Sequence, residues 1–137
     1  MSEVLLSVRD RIGYLSFNRP EARNAVYPGM LDELIAALQR FETDPQIRVI
    51  VLGGTGGAFC AGADRKKFLV QLPAKSAQEI QQDIYERFLG TARRLKLSSK
   101  PTIAAVQGAR HRCRLRVCTR VRVSDCRRRC AVLRELG

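Results

Sequence analysis

The sequence predicts an α/β domain, and three stretches carry that reading. Two short apolar runs, Val4 to Val8 and Ile12 to Phe17, open the chain as strands. A stripe at helical spacing follows between Leu31 and Phe41. The β-branched run Val49 to Leu52 then has the length of a buried strand and ends in glycines. The expected opening order is therefore strand, strand, helix, strand, loop.

Arg9 to Arg11 turn the first two strands into a hairpin, and Gly13 is expected to weaken the second. Asn18, Arg19 and Pro20 end it, because proline removes a ladder donor, and Glu21 to Asn24 continue as polar loop. Pro28 stands where helices favour a proline. Leu31, Leu34, Ile35, Leu38 and Phe41 then place one apolar face on a helix that Thr43, Asp44 and Pro45 close. After Asp64 the cations Arg65, Lys66 and Lys67 precede Phe68 and Leu69. Ser76 with Glu79 predicts a capping box for a second helix, whose apolar side would be Ile80, Ile84, Phe88 and Leu95. Ser98 to Pro101 break that helix, and Thr102 to Val106 reads as a further strand ending at Gln107 and Gly108. Beyond Ala109, Arg110, Arg112, Arg114 and Arg116 alternate with His111, Cys113, Leu115 and Val117, a pattern that predicts neither a helix face nor a clean strand.

The segment Gly53 to Asp64, GGTGGAFCAGAD, is the chemically informative one. Its glycines let the backbone approach a ligand and present main-chain N–H groups, which suits a negatively charged oxygen. A solvated turn between strand and helix fits the same glycines equally well. Two familiar phosphate loops do not fit: the dinucleotide pattern meets Phe59 where it needs glycine, and the phosphate-loop pattern meets Ala63 where it needs lysine.

With 137 residues the chain forms one domain by length. No apolar run is long enough to span a bilayer, and Glu3, Arg9, Asp10 and Arg11 stand where a signal peptide would be apolar, so a cytoplasmic protein without a membrane partner is expected. The net charge of +12 is unevenly spread. Residues 1 to 109 carry 15 basic and 11 acidic side chains, whereas residues 110 to 137 carry 10 and 2. The latter also hold His111 and four of the five cysteines. The spacing of Cys113, Cys118, Cys126 and Cys130 contains no tight pair, which argues against zinc, and a cytosolic chain argues against disulfides. An arginine-rich tail would bind nucleic acid through phosphates without sequence preference.

Four segments together resemble the enoyl-CoA hydratase/isomerase, or crotonase, family. They are the hairpin closing with Asn18-Arg19-Pro20 and followed by Asn24-Ala25, the stripe of the first helix, the strand into GGAFCAGAD, and KPTIAAVQG from Lys100 to Gly108. The resemblance covers residues 1 to about 109 and implies a crotonase-like spiral of ββα units, here truncated, with residues 110–137 an aberrant tail. It also implies an acyl-CoA substrate, with coenzyme A arriving as part of that substrate and no separate cofactor or metal, and a trimer or hexamer as the usual assembly.

By the same resemblance the Ala63 N–H is one oxyanion donor, and fixed N–H donors stabilise charge developing on a thioester oxygen. Coenzyme A would lie against Arg23, Ala25, Ala61, Gly62, Asp64, Arg65 and Lys66, with Lys67 a further candidate for its phosphates. The family's second donor, a glycine, falls on Cys113, and the first catalytic acid/base of hydratases falls on Arg116. Glu135 lies near the position of the second catalytic glutamate. Gly, Ala and Leu codons of a GC-rich gene read one base out of register yield Arg, Cys and His, so the tail is expected to reflect a shifted frame. The sequence thus predicts hydratase or isomerase chemistry beside a thioester carbonyl, in a chain that is inactive as written. The alternative is a non-catalytic module that binds CoA or associates with nucleic acid through its basic charge.

Overall fold

The computed structural model describes residues 2–106 and the short strand at 131–132. Strands β1 (Val4–Arg9) and β2 (Ile12–Phe17) form an antiparallel hairpin, Val4 opposite Phe17 and Arg9 opposite Ile12. Asp10 and Arg11 both take positive φ, 51° and 64°, the sense of turn whose twist matches a two-residue hairpin. Strand β3 (Val49–Gly54) pairs parallel to β2, and β4 (Thr102–Ala104) parallel to β3. β5 (Ala131–Val132) adds antiparallel to β4, giving the order β1-β2-β3-β4-β5.

Helix α1 (Pro28–Thr43) is the crossover between β2 and β3, and it starts on Pro28 as expected. Its buried residues Met30, Leu31, Leu34, Ala37, Leu38 and Phe41 join Val4, Leu15, Phe17, Ile50 and Leu52 of the sheet in one core. Gly13 has a packing role here. A Cβ at that position would lie 2.5 Å from the Phe41 ring, so the absent side chain is the space into which α1 settles. Lys100 donates to the carbonyls of Phe41 (2.6 Å) and Asp44 (2.5 Å), closing the C-terminal end of α1 with a cation.

Three sequence expectations change. A helix α2 (Arg65–Gln71) follows Asp64, where the cation cluster gave no periodic signal. The strand expected over Thr102–Val106 ends at Ala104, and the tail supplies β5. The capping box at Ser76 is present and starts α3 (Ala77–Gln82), but Asp83–Leu89 winds as a π-helix before α4 (Gly90–Leu97). The wider winding turns Asp83 inward and leaves Ile84 40% exposed, the reverse of the apolar spacing. Asp83 tolerates burial because Lys75 and Arg87 both pair with it, and Arg87 also reaches Asp32 of α1 at 2.9 Å. Phe68 of α2 meets Phe88 edge-on, with ring centroids 6.3 Å apart.

Candidate functional site

β3 ends at Gly54, and the chain returns over the start of α1 through two buried residues, Phe59 and Cys60. Phe59 packs edge-on against Phe17 at 5.8 Å, so the glycine segment is pinned into the core at its centre. Gly54 is required by close approach. A Cβ there would sit 2.4 Å from the Ala58 carbonyl, 2.5 Å from that of Phe59 and 2.7 Å from the Asn24 amide nitrogen.

Asn24 is fully buried and takes the left-handed φ of 57°, which asparagine tolerates better than most residues. Its Oδ1 accepts the Arg19 N–H at 2.8 Å, and its Nδ2 donates to the carbonyls of Thr55 (2.9 Å) and Ala58 (2.7 Å). One side chain thus joins the proline turn to the glycine segment. The sequence reading used Asn24 only as a mark of resemblance, and nothing in the sequence pattern announces these bonds.

The two stretches that hold the expected site residues run side by side. Ala61 N–H donates to the Arg23 carbonyl (3.0 Å), Val26 N–H to Gly62 (2.8 Å) and Asp64 N–H to Val26 (2.7 Å). Val26 and Ala63 form a parallel bridge, so both bonds on the bridge's inner side belong to the neighbours of Ala63. Ala63 is an exposed residue, and its N–H is directed away from Val26 and has no acceptor among the described residues. Gly62 precedes it at φ 94°, a conformation that glycine alone adopts without strain.

Asp64 closes the segment. Its Oδ1 accepts the Lys67 N–H at 3.0 Å and caps α2, while its Oδ2 meets the Arg19 guanidinium at 2.9 Å. Burial alone would raise the Asp64 carboxyl; the Lys67 N–H and then the Arg19 guanidinium outweigh it and hold the group below its ordinary value.

The expected cations separate into two groups. Arg23, Arg65 and Lys66 are exposed and make no ion pair among the described residues. Lys67 differs from these three in having partners within the fold. Its Nζ lies 3.7 Å over the Tyr27 ring and 3.5 Å from Glu3, so it is engaged within the fold. Ala25 is half-buried, and its carbonyl accepts from Arg19 at 2.6 Å. Glu135, Cys113 and Arg116 lie outside the described residues. No group of three or more metal-binding side chains occurs among the described residues, and no helix there is long and apolar enough to cross a membrane.

The parallel β-α-β crossover and the glycine segment that follows its second strand lie within the part of the chain that known proteins match. The family model for enoyl-CoA hydratase/isomerase matches residues 8–117, running past residue 109, and the chain belongs to that family. A probable enoyl-CoA hydratase of Mycobacterium tuberculosis is 38% identical over 106 residues, which are 77% of this chain and 40% of that protein. A hydroxycinnamoyl-CoA hydratase-lyase of Pseudomonas fluorescens is 37% identical over 107 residues, 77% of this chain and 38% of its own length. The crystal structure of a probable enoyl-CoA hydratase from Mycobacterium smegmatis superposes with a TM-score of 0.69 at 40% identity, covering 79% of this chain and 42% of that one. The chain therefore spans about 40% of the length of the relatives it matches.

Proposed function

We propose that this chain binds an acyl-CoA thioester with the thioester carbonyl oxygen on the Ala63 N–H, the site of hydratase or isomerase chemistry in the family. The observation that carries the reading is that amide. It belongs to an exposed residue, is directed away from its strand partner, and is held by bonds to Val26 on either side of it. An oxyanion or enolate gains most from a donor already in place, because no reorganisation accompanies the growth of charge. Enoyl-CoA hydratase and hydroxycinnamoyl-CoA hydratase-lyase both name a CoA thioester and differ in the acyl group, so the thioester end supports the reading and the acyl chain stays open. Coenzyme A enters as part of the substrate. Arg23, Arg65 and Lys66 serve its phosphates, while Lys67 keeps the fold.

Ala63 is one donor. Losing the second donor of such a pair costs on the order of 10²- to 10³-fold in rate, and Cys113 and Arg116 stand where the family's second glycine and acid/base are expected. Binding with very slow turnover is therefore the expected behaviour. Calorimetric titration with crotonyl-CoA, CoA and duplex DNA at two salt concentrations, alongside a hydration assay, tests this. Saturable crotonyl-CoA binding that weakens in Arg65→Ala and Lys66→Ala but not in Arg93→Ala, an exposed arginine of α4, supports the reading. Absent saturation with either CoA compound, together with steeply salt-dependent DNA binding, replaces it with a nucleic-acid module. Turnover at ordinary enzyme rates removes the inactivity.

A further inference from the structure

Arg19 is 7% exposed, and its partners come from three separate parts of the chain. Nη1 donates to the Ala25 carbonyl at 2.6 Å and Nη2 to Asp64 Oδ2 at 2.9 Å, while Nε lies 3.3 Å from Glu3 Oε1. The guanidinium carbon also sits 5.2 Å from the Tyr27 ring centroid. Ala25 and Asp64 flank, on opposite strands, the bridge between Val26 and Ala63. The fork of one planar cation therefore spans the same two strands that the backbone joins with three hydrogen bonds, Ala61 N–H to Arg23, Val26 N–H to Gly62 and Asp64 N–H to Val26. A bridge that short can twist about its axis, and a twist would swing the Ala63 N–H away from its present direction.

We propose that Arg19 is a positioning residue: it braces the isolated bridge through Asp64 and the Ala25 carbonyl, and so fixes the direction of the Ala63 N–H. This rests on reading Ala63 as the oxyanion donor. The chemistry explains why arginine stands there. Five donors in a rigid plane satisfy a carboxylate and a carbonyl at once, whereas a lysine ammonium reaches them only as a point charge. Asp64 couples the brace to α2, because its other oxygen caps that helix. Glu3 faces both the Arg19 and the Lys67 cations from the N-terminal side, so the bridge, the hairpin and α2 meet around one guanidinium.

Amide NMR on the full chain tests this with Arg19→Lys and, should that variant lose its dispersed spectrum, with Asp64→Asn. Removing one charge-assisted bond corresponds to an opening equilibrium about 10- to 100-fold larger. The expected result is an Asp64 N–H that exchanges faster by that factor, while Ile50 N–H, bonded to Pro101 in the sheet, keeps its wild-type rate. The shift of the Ala63 amide on adding crotonyl-CoA is expected to shrink in parallel, which a stability loss elsewhere would not cause. Wild-type exchange at Asp64 and a wild-type Ala63 shift in both variants would overturn the brace. If the wild-type Ala63 amide ignores the thioester while Asp64 exchange still rises in the variants, the brace stands and the donor role falls.

Discussion

Replacing Asn24 by alanine separates the forces that hold the glycine segment. Alanine removes three hydrogen bonds, from the Arg19 N–H and to the carbonyls of Thr55 and Ala58, and leaves those groups inside a site where Asn24 is fully buried. At about 1 kcal/mol net for each bond the loss is about 3 kcal/mol. The left-handed φ of 57° adds about 1 kcal/mol for a residue with a Cβ and no local hydrogen bond, giving about 4 kcal/mol for Asn24→Ala. Asn24→Gly forfeits the same bonds but not the backbone term, so about 3 kcal/mol is expected. Asn24→Asp keeps the acceptor for Arg19 and turns a carboxylate oxygen toward two carbonyls, so it is expected to be no better than alanine. Urea unfolding of the four proteins measures this. With slopes of about 1–3 kcal/mol per molar, the alanine midpoint falls by more than about 1 M and the glycine midpoint lies above it. An alanine variant within about 1 kcal/mol of wild type, or glycine below alanine, would refute the reasoning, since only the bonds and the backbone angle enter it.

Two further outcomes follow from the same segment. Gly54→Ala drives a methyl into two carbonyls and an amide and is expected to cost about 3 kcal/mol or more. Gly53→Ala, whose Cβ would meet only Ser16 Oγ at 3.8 Å, is expected to stay within about 0.5 kcal/mol, with thermal unfolding as the readout for both. Asp64 gives a pH signature. Its folded carboxyl is held below its ordinary value, so its contribution is present above that ordinary value and is lost as pH falls through the lower folded one. Wild type and Asp64→Asn are therefore expected to differ most above about pH 4 and to converge in stronger acid; a constant gap across the range would count against the Lys67 N–H and Arg19 as the groups that hold the carboxylate.

The sequence alone determined the chain's alternation of elements. Apolar period and proline position were enough for β2, α1 and β3, because each of these buries one face and its pattern repeats along the chain, whereas β1 buries only Val4 and was legible from its apolar composition. The capping box at Ser76 was legible for the same reason, since its two partners lie three residues apart. Gly53 to Asp64 and the Lys100 to Gly108 segment carried the family. Only the tertiary structure decided which side chains serve the site. Asp83 is buried and Ile84 exposed where the chain winds as a π-helix, and the pairing of Lys75 and Arg87 with the buried carboxylate is not visible in the helical spacing. Lys67 and Lys66 are neighbours of equal charge, yet one is engaged by Tyr27 and Glu3, the latter 64 positions away, and the other is not. Arg19 and Asn24 look like loop residues until the chain folds, because a buried polar group is defined by partners distant in sequence, and those partners are known only once the strands have met.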